Sequence, residues 1–476
     1  MSDALEKRIK KHIIGKPHRF LAVSPLGFEQ TLLRELESIL GESTTELPHV
    51  TGDGKVEFTT KLTEAWKAVA VSRTANRVLM EVASFKAENF RDLEKKASEI
   101  PWELFLTTNH QPLTTIHVTC KHSRLYHSDA IAERLYKIIE GVSLPLAPAD
   151  TASATPSAGT PRNAPPQNLY VNFLDDRCTI WLDLAGEELY KRGFERFVND
   201  APLKETIASA MIFEAFYTAS LTTNHQALTT LIDPMSGSGT FSLEAACIAN
   251  KIIPGTCRDF ALKHQPAFKE ATWNFLIRQE TRDDKCVGRV SRPCLHEHDR
   301  VQHLGLERSD NPKTNSETAA IAKIITSDIS ERAVNIIKHN IECCPLASIS
   351  PAPIAPQQKD FFSYTAKEIV DACGDTSPIL VLNPPYGKRL DFDAPKLYTQ
   401  IGKKLTELAR DLHNLGKTLT VAILAPKDDT RDGAKYTCTA NLLRECAALS
   451  PEQSPTAKVI QTSHGGFSLN AIFATI

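Results

Sequence analysis

The chain has 476 residues and a mass of 52.6 kDa, with 42% apolar and 24% charged residues, so we expect two or three folded domains and no wholesale disorder. Lys and Arg number 55 against 57 Asp and Glu, which excludes nucleic-acid binding through bulk positive charge but not through a local basic face. The sequence has no run of 18 apolar residues, no signal-peptide core and no metal-binding spacing among its 11 cysteines. We therefore expect a cytoplasmic protein with reduced thiols, no membrane contact and no metal.

The first part of the chain mixes predicted strands and helices without a regular alternation. Residues 1–19 carry six basic residues and are expected to form a basic tail, either solvated or in contact with RNA. Residues 20–190 are predicted as one α+β region. Its strands are expected at 20–23, 113–119, 169–173 and 179–184, and its helices around Leu32 to Leu40, at 63–80 and at 129–139. The stretch 141–168 is rich in Pro, Ala, Ser and Thr and nearly uncharged, which predicts a flexible insertion.

From residue 201 onwards, predicted strands and helices alternate. Apolar strands that end in polar residues are followed by helices, as in LTTLIDP, AKIITSD, PILVLNPPYG and TLTVAILAP. This alternation predicts an α/β fold with a mostly parallel sheet covered on both faces. Ligands bind such sheets beyond the carboxyl ends of the strands. A charged, partly helical insert at about 254–321 interrupts the pattern.

The first chemical cue is DPMSGSGTF, from Asp233 to Phe241, between a predicted strand and a predicted helix. Gly237 and Gly239 permit a sharp turn and a close approach of the backbone to a ligand. No Gly-Lys-Ser/Thr follows, which excludes a P-loop, and the full G-x-G-x-x-G of dinucleotide sites is missing. On this motif alone, a tight turn without a function stays an alternative.

The second cue is Asn383-Pro384-Pro385-Tyr386, directly after the apolar run 379–382. Two prolines cannot continue a strand ladder or enter a helix, so they fix a rigid turn that presents the Asn383 amide, the Pro384 carbonyl and the Tyr386 ring. An exocyclic amino nitrogen is a poor nucleophile because its lone pair is delocalised. Two acceptors that hold its N–H groups favour a reactive, pyramidal nitrogen, while an aromatic ring stacks on the target. The pattern indicates chemistry at an amino group.

Two acidic residues complete the predicted site. Asp328 ends AKIITSD and suits the hydroxyls of a ribose. Asp360, in QQKDFF, suits an adenine amine, with Phe361 packing on the ring. Taken singly, an acid in such a position is more often an exposed loop residue or a helix cap than a ligand-binding group. Their order along the chain, after the glycine turn and before Asn383, is what indicates a nucleoside site.

In this order, the motifs resemble the class I S-adenosylmethionine-dependent amino-group methyltransferases. More closely, the chain is similar to the bacterial ribosomal-RNA large-subunit guanine-N2 methyltransferases that carry an N-terminal THUMP domain, in their form with one catalytic core. The similarity covers most of the chain. It includes FLAVSPLGFEQTLLRELESIL, the junction KRGFERFVNDAPLKET, both motifs above and the ending SHGGFSLNAIF.

This resemblance implies a Rossmann-like methyltransferase domain with a seven-stranded sheet at 191–476, preceded by the ferredoxin-like and THUMP region at 20–190. It implies S-adenosylmethionine as cofactor and RNA as partner. The implied catalytic residues are Asn383, Pro384, Pro385 and Tyr386. The implied cofactor-binding residues are Asp233, Gly237, Ser238, Gly239, Thr240, Asp328, Ile329, Asp360 and Phe361.

The predicted reaction is methyl transfer to the N2 amine of a guanosine in large-subunit (23S) ribosomal RNA. Asn-Pro-Pro-Tyr serves amino groups in general, so adenine N6 in DNA or RNA and guanosine N2 in transfer RNA remain alternatives, as does a non-catalytic RNA-binding factor. Residues 1–200 carry 25 basic and 27 acidic residues, and the remainder carries 30 of each. An RNA surface must therefore come from local clusters such as Lys121–Arg124 or Lys191–Arg196.

Overall fold

The strands of the chain form two sheets. A computed structural model describes residues 2–107, 115–145, 165–198, 202–222, 228–282, 321–386, 393–428 and 437–476. Within these ranges each sheet has seven strands. The first sheet is built from strands that precede residue 184 and the second from strands that follow residue 228.

The first sheet has the strand order β2-β3-β1-β4-β7-β6-β5, and its neighbours are antiparallel except for the parallel pair β5–β6. The strands are β1 (Pro17–Val23), β2 (Thr44–Gly52), β3 (Lys55–Lys61), β4 (Arg77–Lys86), β5 (Ile116–Lys121), β6 (Leu169–Leu174) and β7 (Arg177–Asp183). The helices are α1 (Asp3–Ile9), α2 (Glu29–Leu40), α3 (Leu62–Val71), α4 (Phe90–Ser98) and α5 (Ser128–Glu140). In β3, the alternate residues Val56, Phe58 and Thr60 are buried, as strand pleating requires.

Two expectations for this region need correction. Residues 3–14 are not a solvated tail: α1 continues into a π-helical turn, and Ile9 and Ile13 are buried in the first core. The helix expected at 63–80 ends at Val71, and β4 begins at Arg77. The intervening turn is held by Glu35, whose carboxylate accepts hydrogen bonds from the Ser72 hydroxyl and the Arg73 N–H.

The second sheet has the order β10-β9-β8-β11-β12-β14-β13. Its strands are β8 (Thr229–Asp233), β9 (Ile321–Asp328), β10 (Gln357–Gln358), β11 (Ser377–Leu382), β12 (Thr420–Pro426), β13 (Lys458–His464) and β14 (Phe467–Thr475). Strands β8 to β12 are parallel, and β14 is antiparallel to both of its neighbours. The mostly parallel seven-stranded sheet expected from the sequence is confirmed.

Helices cover both faces of the second sheet. They are α6 (Glu205–Ser220), α7 (Thr240–Ala249), α9 (Glu331–Glu342), α10 (Ala366–Cys373), α11 (Ala394–Asn414) and α12 (Cys438–Glu445). On β11, Ile379 and Val381 pack into the core that contains α6, whereas Leu380 and Leu382 pack into the core that contains α11. Because both faces are buried, the strand reads as a continuous apolar run.

Part of the charged insert returns to the first core. Helix α8 (Glu270–Arg282) contributes Trp273 and Leu276 to that core, together with Phe260 and Phe268 from the preceding segment. The Phe268 ring lies 5.5 Å from the ring of Trp66 in α3. The described part of the expected insert at 254–321 therefore completes the first core. Residues 283–320, and residues 146–164 of the expected flexible insertion, lie outside the described ranges.

Two buried carboxylates join the regions of the two sheets. Glu214 of α6 pairs with Arg34 of α2 and accepts a hydrogen bond from Thr31. Glu244 of α7 accepts from the Arg192 guanidinium at 3.0 Å and from Arg73 at 3.3 Å. Burial opposes ionisation of Glu244, but the two arginines outweigh it and lower the pKa of its carboxyl.

Candidate functional site

The predicted site residues meet at one edge of the second sheet. Asp233 and Asp328 end the neighbouring parallel strands β8 and β9. Asp360 follows β10 on one side, and Asn383 follows β11 on the other. Since the carboxyl ends of parallel strands lie at the same edge, all four side chains belong to one rim.

The glycine turn connects β8 to α7 and opens towards that rim. Gly237 has φ +55° and Gly239 has φ +81°, a region that favours glycine. A Cβ atom on Gly239 would lie 3.0 Å from Ile337 of α9, so this glycine permits close packing. A Cβ on Gly237 would meet nothing within 4 Å. The turn therefore leaves room for a ligand beside Gly237.

Asp233 is buried beneath this turn and is only partly satisfied. Its Oδ2 accepts hydrogen bonds from the Ser242 hydroxyl at 2.7 Å and from the Ser242 N–H at 3.2 Å. Its Oδ1 is buried and has no hydrogen-bond partner among the described residues. Burial raises the pKa of the Asp233 carboxyl to about 7. An unpartnered buried carboxylate oxygen suits a ligand that carries a donor.

The ends of β9 and β10 offer two further acidic groups. Asp328 accepts the N–H of Gly237 on Oδ2 and that of Ser330 on Oδ1, both at 2.9 Å, which leaves lone pairs on each oxygen. Asp360 caps a short 3₁₀ turn by accepting the Phe362 N–H at 3.0 Å.

The two apolar residues predicted beside these acids differ in exposure. Ile329 is 66% exposed next to Asp328. Phe361 is only 2% exposed and packs in the core below the rim, which leaves little of its ring for a ligand.

The Asn-Pro-Pro-Tyr segment extends β11 beyond the sheet. Asn383 is partly buried, and its Oδ1 has no hydrogen-bond partner among the described residues. Pro384 is buried and Pro385 is exposed. Burial raises the pKa of the Tyr386 hydroxyl to about 12, so this residue is a neutral phenol. The segment presents an unused amide acceptor beside an uncharged aromatic ring.

Two residues of the terminal hairpin join this segment, and the sequence reasoning did not assign them. The Tyr386 hydroxyl lies 3.4 Å from Nδ1 of His464, and the Phe467 ring packs edge-on to Tyr386 at 6.0 Å. Burial lowers the pKa of His464. In the sequence, the ending SHGGFSLNAIF contributes only to the family resemblance. In that ending, His464 and Phe467 flank a Gly-Gly turn, and this pattern was the signal in the sequence that could have identified them as site residues.

The segment that joins the two sheets also reaches the site. Arg196 donates to the hydroxyls of Thr240 and Ser238, at 2.8 and 3.3 Å, and pairs with Glu205. Asn340 of α9 donates to the Ser238 carbonyl at 3.0 Å. Arg192 pairs with buried Glu244. The cluster Lys191–Arg196 is therefore not an exposed basic face, because Arg192 is buried and Arg196 is partly buried, each in an ion pair.

The described residues include neither a candidate metal site nor a candidate membrane-spanning helix. Among them, no group of three or more His, Cys, Asp and Glu side chains is arranged to hold a metal ion. In the same part of the chain, helices with the length and apolar character required to cross a bilayer are absent.

Two family descriptions match the chain. Residues 192–423 match the family described as the RMKL-like methyltransferase domain. Residues 19–79 match the RlmL ferredoxin-like domain. The expected ferredoxin-like character of the N-terminal region is thus confirmed over those residues.

The chain is also similar to individual proteins. The Marinomonas sp. (strain MWYL1) "Ribosomal RNA large subunit methyltransferase K/L" is 27% identical over 387 residues, which are 80% of this chain and 45% of that protein. The chain thus spans about half the length of the K/L relatives it matches. The Bacillus subtilis (strain 168) protein YpsC, named as a candidate RNA methyltransferase, is 26% identical over 83% of this chain and 86% of its own. The crystal structure of SMU.472, complexed with SAH, has a TM-score of 0.62 at 22% identity and covers 96% of this chain and 98% of that chain.

Proposed function

Because residues 192–423 belong to the RMKL-like methyltransferase family and residues 19–79 to the RlmL ferredoxin-like family, we propose that the chain methylates the exocyclic N2 amine of a guanosine in large-subunit ribosomal RNA. The methyl donor is S-adenosylmethionine. The reaction takes place in the cytoplasm, where ribosomal RNA is assembled into ribosomal subunits. Relatives named ribosomal RNA large subunit methyltransferase K/L support this substrate.

The rim of the second sheet fits the proposed cofactor. Gly237 leaves open space, and Asp233 Oδ1 is a buried acceptor without a partner among the described residues. Thr240 and Ser238 bring hydroxyls to the same turn, while Asp328 keeps lone pairs for the ribose and Asp360 for the adenine. When bound, S-adenosylmethionine supplies a methyl group on a positively charged sulfur.

The protein's own contribution is to orient the target amine. Asn383 accepts one N–H of the amine on Oδ1, and the Pro384 carbonyl accepts the other. The neutral Tyr386 ring stacks on the base, which must leave its helical stack to reach the rim. His464 and Phe467 hold that ring in place from the hairpin. Positioning and electrostatics account for catalysis at such a site, and no strong base is needed.

The buried, unpartnered Asn383 Oδ1 at the same rim as the glycine turn is the observation on which the proposal depends. The same acceptor suits the exocyclic amine of guanosine N2 and that of adenine N6. The ferredoxin-like domain and the THUMP region proposed to follow it favour RNA over DNA.

The proposal is tested by mass-spectrometric profiling of nucleosides from ribosomal and transfer RNA of a strain without this gene. Loss of N2-methylguanosine from large-subunit RNA, restored by the wild-type gene but not by Asn383→Ala, is the expected result. Loss of N6-methyladenine instead would identify adenine as the target base. Loss of N2-methylguanosine from transfer RNA alone would identify transfer RNA as the substrate. Either result would contradict guanosine in ribosomal RNA as the target. An unchanged nucleoside profile would show that the proposed activity is wrong.

A further inference from the structure

The loop between β5 and α5, residues 122–127, presents an aromatic pair to solvent. The Tyr126 side chain is 66% exposed, and its ring lies 4.1 Å from the His127 ring, centroid to centroid. The preceding residue, Leu125, is buried in the first core. The loop is thus anchored by one side chain while the next two remain outside the core, although a tyrosine ring gains little from exposure to water.

Hydrogen bonds to the turn between β6 and β7 hold this loop in one conformation. The Asp176 carboxylate accepts the Arg124 N–H at 2.7 Å, and the Asp176 N–H donates to the Ser123 hydroxyl at 3.0 Å. The Asp175 N–H donates to the Lys121 carbonyl at 3.3 Å. Because the loop is already ordered, a ligand that contacts the exposed rings pays little for ordering the backbone.

Basic side chains lie at the same end of the first sheet. Lys121 ends β5 and Arg177 begins β7, and the strand register places them on either side of Leu174. Both cations are exposed. The acids at this end include Glu88 and Asp176, and both of these pair with Arg124. Lys121 and Arg177 are therefore placed to attract an anion from solvent.

An exposed ring beside cations suits a nucleotide whose base is not paired. Every base has a flat face that stacks on an aromatic side chain, and the phosphates beside it are attracted by Lys and Arg. A base-paired stem keeps its base faces hidden inside the helix. A protein partner needs a larger apolar area, and besides Tyr126 the described part of this sheet end exposes one large apolar side chain, Leu174.

We propose that the Tyr126–His127 pair stacks on an unpaired base of the target RNA, while Lys121 and Arg177 contact the neighbouring phosphates. This inference rests on the proposed function and gives the RNA a second contact, away from the catalytic rim. Strand β7 leads from Arg177 to Asp183, after which the segment that joins the two sheets begins. Its seven residues span roughly 20 Å. The stacked base is therefore a different nucleotide from the methylated one.

Steady-state methylation of large-subunit ribosomal RNA from a strain without this gene tests the stacking contact in the full chain. Tyr126→Ala should raise KM for this RNA about 10- to 100-fold, as loss of one stacked base predicts, with kcat within about twofold. Tyr126→Phe keeps the ring and should stay within about threefold of the wild-type KM. Phe275→Ala, at an exposed aromatic position of α8, is the matched control and should behave as the wild type does.

The salt dependence of RNA binding, measured by filter binding with the same RNA, tests the phosphate contacts. Lys121→Gln should weaken binding and lower the slope of log affinity against log salt by roughly 0.7, the value for one phosphate of a single strand. Lys95→Gln, at an exposed position of α4, is the control and should keep the wild-type slope. An unchanged slope in Lys121→Gln would overturn the phosphate contact.

The remaining outcomes separate stacking from other roles of the pair. If Tyr126→Ala leaves KM unchanged, the inference is wrong, and a simultaneous fall in sedimenting mass would assign the pair to contact between copies of the chain. If Tyr126→Phe loses as much as Tyr126→Ala, the hydroxyl carries the contact and stacking is overturned. If the wild-type protein does not methylate this RNA, the proposed function is wrong. The filter-binding affinities of the wild type and Tyr126→Ala then still decide the inference.

Discussion

The backbone N–H of Gly237 donates to Asp328 Oδ2 over 2.9 Å, so the turn after β8 is held by the acidic end of the neighbouring strand. In the proposed cofactor site, the same carboxylate would therefore hold the glycine turn and also accept from the hydroxyls of the ribose. We expect Asp328→Ala to weaken S-adenosylhomocysteine binding by about 10- to 100-fold, since a charged acceptor is lost. Calorimetry with S-adenosylhomocysteine measures this loss of affinity. Asp371→Ala, at an exposed position of α10, should bind as the wild type does. Unchanged affinity in Asp328→Ala would place the ribose elsewhere.

Asn383 should affect turnover and leave cofactor binding almost unchanged. Its Oδ1 has no hydrogen-bond partner among the described residues, so Asn383→Ala removes the acceptor that we propose for the target amine and no hydrogen bond of that oxygen within the described part of the chain. The turnover number for RNA should fall by about 100-fold or more, with S-adenosylhomocysteine affinity within about twofold. Asn414→Ala, at the exposed end of α11, is the control. Retained turnover in Asn383→Ala would refute the catalytic assignment.

The Tyr386 ring should matter more than its hydroxyl. The contact from the Tyr386 hydroxyl to His464 is long, at 3.4 Å, whereas the ring is the proposed stacking surface for the base. Tyr386→Phe should keep kcat/KM within about threefold, and Tyr386→Ala should lose about 10- to 100-fold, as expected for base stacking of about 1–3 kcal/mol. Steady-state methylation of an RNA substrate gives both values. Equal losses in the two variants would show that the hydroxyl carries the function.

Cofactor affinity should depend on pH through Asp233. Burial raises the pKa of this carboxyl to about 7, and in the proposed site only its ionised form would attract the ammonium of the cofactor's methionine part. Affinity should therefore fall by about tenfold for each pH unit below this pKa. Calorimetry with S-adenosylhomocysteine from about pH 5.5 to about pH 8 measures the slope. In Asp233→Asn the slope in this range should vanish. The same slope in that variant would assign it to another group.

Glu244 should contribute to the stability of the whole chain. Replacing it with Gln leaves Arg192 in a buried position without its counter-charge. Loss of one partner of a buried ion pair costs about 3–5 kcal/mol, which urea unfolding followed by circular dichroism detects. Glu342→Gln, at the exposed end of α9, should change stability by less than about 0.5 kcal/mol. A similar small change in Glu244→Gln would show that the pair adds little.

Local sequence patterns predict the second sheet and its rim well, but they do not predict the contacts between distant segments. The run before Asn383 is apolar because both faces of β11 are buried, and this is visible in the sequence. The helix expected at 63–80 was too long because the small residues after Val71 fit a helical spacing, and the turn depends on Glu35. Arg196 reaches Thr240 across 44 positions, and His464 reaches Tyr386 across 78. No local periodicity encodes such pairs.

The return of residues 253–277 to the first core has a consequence for synthesis on the ribosome. Until Phe268 has emerged, the Trp66 ring lacks the aromatic neighbour against which it packs in the finished protein. Apolar surface of the nascent N-terminal region therefore stays exposed while the glycine turn and α7 are being translated. A fragment ended near residue 190 should for the same reason be prone to aggregation, and the two halves are best produced as one polypeptide.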